Sequence, residues 1–136
     1  MTTRNSGFSL IEVLVVIAII GILSAVGLVS YKGYVSSSKT SAVKSAMQTI
    51  SLAQSEYYSN EGQYYIQTED GNCTTSATNS DLIETNLMGG GDVISEAVGY
   101  QMCTETQGAG YLIRATTGAG ESLVTITLDF NGAWGE

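Results

Sequence analysis

The chain has 136 residues, with five basic and thirteen acidic side chains, a formal net charge of −8, no histidine and no proline. So acidic a balance argues against nucleic-acid binding, which rests on clustered Lys and Arg. Without histidine, and with serines that have no recognisable base or nucleophile elbow around them, the expectation is a non-enzymatic chain with no cofactor and no metal.

Residues 1–7 form a short leader in which Arg4 is the single charged side chain. Glu12 follows, and then Val13–Val29 reads VLVVIAIIGILSAVGLV, seventeen uncharged residues of which twelve are Val, Ile or Leu. As a helix, Val13–Tyr31 is about 28 Å long, close to the roughly 30 Å hydrocarbon core of a bilayer. The twelve apolar side chains favour insertion by about 4–7 kcal/mol, while Glu12 opposes it by at most about 3 kcal/mol. The segment is therefore expected to enter a membrane despite its acid. An ionisable group at the edge of such a run marks function and needs a partner. No cation lies within the apolar stretch, so the partner is another molecule or a new amino terminus cut just upstream. Cleavage after Gly7 leaves Phe8 with a free α-amine four residues before Glu12.

Gly7-Phe8-Ser9-Leu10-Ile11-Glu12-Val13, followed by an uninterrupted apolar helix, resembles the prepilin processing site of type IV pilins and type II secretion pseudopilins, a type IVa pilin most of all. The likeness is specific over roughly residues 5–34. It implies cleavage between Gly7 and Phe8 by a prepilin peptidase, N-methylation of Phe8, and a meeting of Glu12 with the Phe8 amine of a neighbouring subunit during assembly. Two groups that are costly alone in lipid then become a pair. The implied partners are further copies of the chain, the peptidase and the assembly machinery of the bacterial inner membrane. The implied location is that membrane first, then an extracellular filament. Three plainer readings compete: a secretory signal peptide cut near Ala25-Val26-Gly27, an ordinary single-span anchor, and a buried core helix. The weakly basic leader and the internal acid weigh against the first, and apolar residues on every face weigh against the last. Lys32, Lys39 and Lys44 outnumber Arg4 and favour the opposite membrane orientation, but the cleavage motif is the more specific signal. The family usually places a proline late in this helix, where Val29 stands here. Any loosening in a filament is therefore expected around Gly27–Gly33.

Residues 32–60 continue the helix into water. Val43, Ala46, Met47, Ile50, Ala53 and Tyr57 recur at three- and four-residue steps and mark the face expected to meet a sheet. Tyr31 and Tyr34 fit a membrane-interface belt or a subunit contact. Asn60-Glu61-Gly62 ends the helix, and Tyr57, Tyr58, Tyr64 and Tyr65 are expected to pack the following loop onto it. Thr74–Ser80 is small and hydroxyl-rich, hence expected exposed, with a weak glycosylation signal there and at Asn72-Cys73-Thr74. Asp81-Leu82-Ile83-Glu84 is read as a capping pattern opening a short helix to Met88, stopped by Gly89-Gly90-Gly91. Acidic residues beside glycine, in Glu69-Asp70-Gly71-Asn72 and Gly91-Asp92, match turns better than any calcium loop.

From Val93 the apolar period becomes two: Tyr100, Met102 and Thr104, then Tyr111, Ile113 and Ala115, then Val124, Ile126, Leu128 and Phe130. These read as antiparallel strands, with turns near Gly108–Gly110, Gly118–Gly120 and Asn131-Gly132. Cys73 and Cys103 lie in the region that the resemblance places in an oxidising compartment, which favours one disulfide over two free thiols. Residues 61–136 thus form a small antiparallel β-sheet head, and the fold class is α+β with a membrane-spanning then amphipathic N-terminal α-helix. The expected function is a structural subunit of a type IV pilus-like filament. Alternatives are a pseudopilin or minor pilin and, from other classes, a single-span surface binding protein or a secreted domain.

Overall fold

The computed structural model describes residues 7–69, 72–94, 99–117 and 124–136. Its elements run in the order α1 (Leu10–Glu61), α2 (Ala77–Leu87), β1 (Tyr100–Gln107), β2 (Gly110–Thr117), β3 (Thr125–Asp129) and β4 (Trp134–Gly135). The architecture is α+β, a long N-terminal helix with a small four-stranded antiparallel sheet in the order β1-β2-β3-β4. The chain divides into two compact units, residues 1–38 and 39–136.

Over its described residues the first unit is helical from Leu10 onward, and every Val, Ile and Leu from Leu10 to Val29 is exposed. Many of these side chains are β-branched, and such residues are only moderate helix formers in water. In hydrocarbon, however, a helix satisfies each backbone amide within its own segment, so an apolar setting makes the helix obligatory. By length and composition α1 can cross a membrane. It runs unbroken through Gly21, Gly27 and Gly33, where an added Cβ would meet nothing within 4 Å.

In the second unit, α1 buries Val43, Met47, Ile50 and Gln54, a stripe at steps of four, three and four. Against it stand Ile83 of α2 and the inner face of the sheet, where Met102, Ala115 and Ile126 align across β1–β3, as do Thr104, Ile113 and Leu128. The expected face thus holds, with one substitution of detail. Gln54 takes the fully buried place, while Ala53 and Tyr57 are half-buried. Helix α1 ends where Gly62 adopts φ +73° and donates its amide to Tyr58 O at 2.9 Å, a conformation only glycine enters freely.

The second helix corrects the sequence reading. It starts at Ala77, four residues before Asp81, because Ser76 is the N-cap and accepts from Asn79 N at 3.1 Å. Residues 74–80 are accordingly not all exposed. Ser80 is buried, its hydroxyl donating to Ser76 O and accepting Met102 N at 2.9 Å, which ties α2 to β1. Glu84 belongs to the exit of this helix: its Oε1 accepts the amides of Val93 and Ile94, and Gly90 N donates to its carbonyl.

Strand alternation also fails in one place, since Met102, Cys103, Thr104 and Glu105 are all buried. The segment before α2 covers the outer face there, and Gln67 closes the edge of β1 by exchanging backbone and side-chain bonds with Thr104. The β1–β2 turn is the two-residue loop Gly108-Ala109, with Gly108 at φ +58°. The turn at Asn131-Gly132 is organised by Asp129, whose Oδ1 accepts the amides of Asn131 and Ala133. It returns Trp134 and Gly135 to pair with β3, and Lys44 Nζ then reaches Glu136 at 3.0 Å while lying 5.5 Å from the Trp134 ring centroid. The turn expected near Gly118–Gly120 lies outside the described residues.

Candidate functional site

The helix start gathers the residues singled out upstream. Gly7 and Phe8 are exposed and precede α1, and an added Cβ at Gly7 would meet nothing within 4 Å. Ser9 is the N-cap: its carbonyl accepts the amide of Glu12 at 3.1 Å, and Glu12 Oε2 accepts Ser9 N at 2.8 Å. This is half of a capping box, with the acid at the third helical position and its charge against the positive helix end. The Glu12 carboxylate therefore has a partner within its own chain, a backbone amide, where the sequence reading sought one in another molecule or in a new amino terminus cut just upstream. The signal was present in Ser9-Leu10-Ile11-Glu12, which fits the S-x-x-E pattern. Phe8, Ile11, Glu12, Val15 and Val16 line one shallow groove, so the first residue after Gly7 and the acid border the same open face. Residues 1–6 of the leader, Arg4 included, lie outside the described residues.

A second constellation sits on the sheet. Cys73 and Cys103 form a disulfide with Cα atoms 6.0 Å apart, closing a sequence separation of 30, and both are buried. Two residues along β1, Glu105 is only 2% exposed, and its carboxylate is held from both sides. Arg114 Nη2 donates to Oε1 at 2.6 Å and Cys73 N donates to Oε2 at 2.8 Å. The bridge and the ion pair thus anchor the same segment, residues 72–76, whose Thr75 hydroxyl also bonds that of Thr116. Sequence reasoning missed this pair, a diagonal one across the β1–β2 hairpin, where Arg114 stands opposite Cys103, two residues before Glu105.

The third is an open cleft of about 810 Å³ in the second unit, lined by Tyr57, Tyr58, Tyr64, Tyr65, Glu69, Thr106 and the Gly108–Gly110 turn among others. Tyr58 and Tyr64 lie with ring centroids 4.6 Å apart, Tyr57 and Tyr65 at 5.9 Å, and Tyr64 meets the edge of Tyr111 at 4.9 Å. Gln54 fixes this loop by bonding both Tyr65 N and Tyr65 O at 2.8 Å. Burial raises the Tyr111 phenol above its ordinary value against the lowering effect of its Ser51 hydrogen bond; burial raises Tyr65 likewise. Asp70 and Gly71 of the weighed calcium segment lie outside the described residues. Among the described residues no cluster of three or more His, Cys, Asp or Glu could hold a metal.

Residues 2–28 match the family model described as the prokaryotic N-terminal methylation motif. The chain is 38% identical over 61 residues to the type IV major pilin protein PilA of Myxococcus xanthus, covering 45% of this chain and 28% of that protein. It is 34% identical over 84 residues to a fimbrial protein of Neisseria meningitidis, covering 60% and 46%. It is 41% identical over 64 residues to the type IV major pilin protein PilE1 of Neisseria gonorrhoeae, covering 47% and 39%. The chain therefore spans less than half the length of these relatives. No solved structure matches it.

Proposed function

We propose that this chain, similar over its first part to type IV major pilins, is a structural, non-enzymatic subunit of a type IV pilus filament, processed between Gly7 and Phe8 and assembled through α1. One observation supports this above the others. An apolar helix with its large side chains exposed carries an acid, Glu12, in its first turn, which borders the same groove as Phe8 within the matched methylation motif. Such a surface is stable only in lipid or against copies of itself.

On this reading residues 1–7 are a leader, 8–31 the membrane and filament-core helix, 32–60 its amphipathic continuation, and 61–136 the head. Prepilin peptidase removes the leader and methylates Phe8. The helix waits in the inner membrane and then packs side by side with others, where Ala18, Gly21, Ser24 and Ala25 allow close approach. Glu12 holds its own Ser9 amide with one oxygen and has a second oxygen to offer the Phe8 amine of a neighbour, which sets register. The names of the matched relatives favour a pilus subunit over a secretion pseudopilin.

Replacing Glu12 by Ala tests the assembly role. The variant should reach the membrane fraction at the normal level while sheared filaments fall at least about tenfold. Normal filament yield would contradict the role.

A further inference from the structure

The tyrosine cleft is not needed by the filament reading, and its construction goes beyond packing a loop. Five of the chain's eight tyrosines meet there, counting Tyr111 beneath Tyr64. Their scaffold is preformed: Gln54 holds Tyr65 through its backbone, Asn86 donates to the Tyr65 hydroxyl at 3.2 Å, and Thr106 N bonds Thr68 O across to β1. Tyr58 nonetheless remains 48% exposed. Gly62 and Gly108, both exposed on its lining, leave open space where an added Cβ would stand. The volume lies within the roughly 300–1,000 Å³ of ligand clefts, which combine aromatic walls with a few polar groups.

The lining selects a ligand class. Among its described residues there is no Lys or Arg and one charge, Glu69, within a chain of net charge −8, so an anionic ligand is repelled. The ring pairs touch each other at 4.6 and 5.9 Å, which leaves no slot between facing rings for a caged cation. What they present is a platform made by the exposed ring of Tyr58, backed by Tyr64 and rimmed by the hydrogen-bonding groups of Gln63, Glu69 and Thr106. A platform of this kind suits a ring with an apolar face and hydroxyls at its edge. We propose that this cleft binds a short uncharged oligosaccharide, one sugar stacked on the Tyr58–Tyr64 pair and its hydroxyls bonded at the rim.

The test is saturation-transfer NMR on the full chain in detergent micelles. The probes are maltohexaose, cellohexaose, tetraacetylchitotetraose and β-1,4-galactotetraose, with choline and a heparin hexasaccharide for comparison. At least one neutral probe should bind, and Tyr58→Ala should weaken it about tenfold through loss of one stacking surface. Tyr58→Phe should retain it within about threefold. Ala109→Arg, which fills the cleft from an exposed turn position without removing a tyrosine, should abolish it even where Tyr58→Ala perturbs the fold. Three results would each overturn the proposal: no transfer to any neutral probe, binding unchanged in both Tyr58→Ala and Ala109→Arg, or tighter binding of choline or heparin.

Discussion

Single residues in this chain do more than one thing at once, and Glu105 shows the energetic consequence. Its buried carboxylate accepts from Arg114 and from the Cys73 amide, so removing it strands a guanidinium and a backbone donor together. Arg114 already has a buried Nε without a partner, and its side chain is 30% exposed, which softens the loss. Breaking a buried ion pair by deleting one member costs about 3–5 kcal/mol. Glu105→Ala should therefore destabilise the second unit by roughly 3 kcal/mol, read as a lowered unfolding midpoint with the disulfide intact. A loss below about 1 kcal/mol would mean that water replaces the carboxylate freely. Glu12 is the counterpart in the first unit. There the sequence showed an acid without a cation, and the S-x-x-E spacing that supplies Ser9 N as its partner went unread beside it.

At the scale of elements, periodicity carried most of the reading. The 43, 47, 50 stripe and the alternation in β2 and β3 follow from burial on one face, and the structure has both. Where a second layer covers the other face, as over Met102–Glu105, alternation disappears because both faces are dry. Helix α2 was misplaced because a run of small hydroxyl residues reads as loop, although Ser76 and Ser80 are the groups that start it and dock it. Gln54 was missed because a polar side chain gives no apolar signal even when the backbone of Tyr65 bonds both its amide oxygen and its amide nitrogen. The tyrosine loop itself makes a pH prediction. The fold raises the phenols of Tyr65 and Tyr111, so it favours their protonated forms. That contribution is whole below about pH 10 and is lost as pH rises through the raised values. The unfolding midpoint should fall as pH rises above about 10, and fall less steeply in Tyr111→Phe. Equal slopes in the two proteins would contradict it.

For the whole molecule, the composition divides the work. An exposed apolar helix demands a membrane or copies of itself, while an acidic head remains soluble and self-repelling. The fold class and the apolar helix were legible because they rest on long, strongly patterned stretches. The head's covalent and ionic anchor was legible only as two cysteines, since pairing across β1 and β2 depends on register. That this chain is cut at Gly7 and built into a filament is tested most directly by mass spectrometry of the amino terminus of the protein in filaments sheared from native cells. Methylated Phe8 is expected as the first residue of an abundant pelleted subunit. A chain beginning at Leu28 or still at Met1, or one absent from any filament, would contradict it.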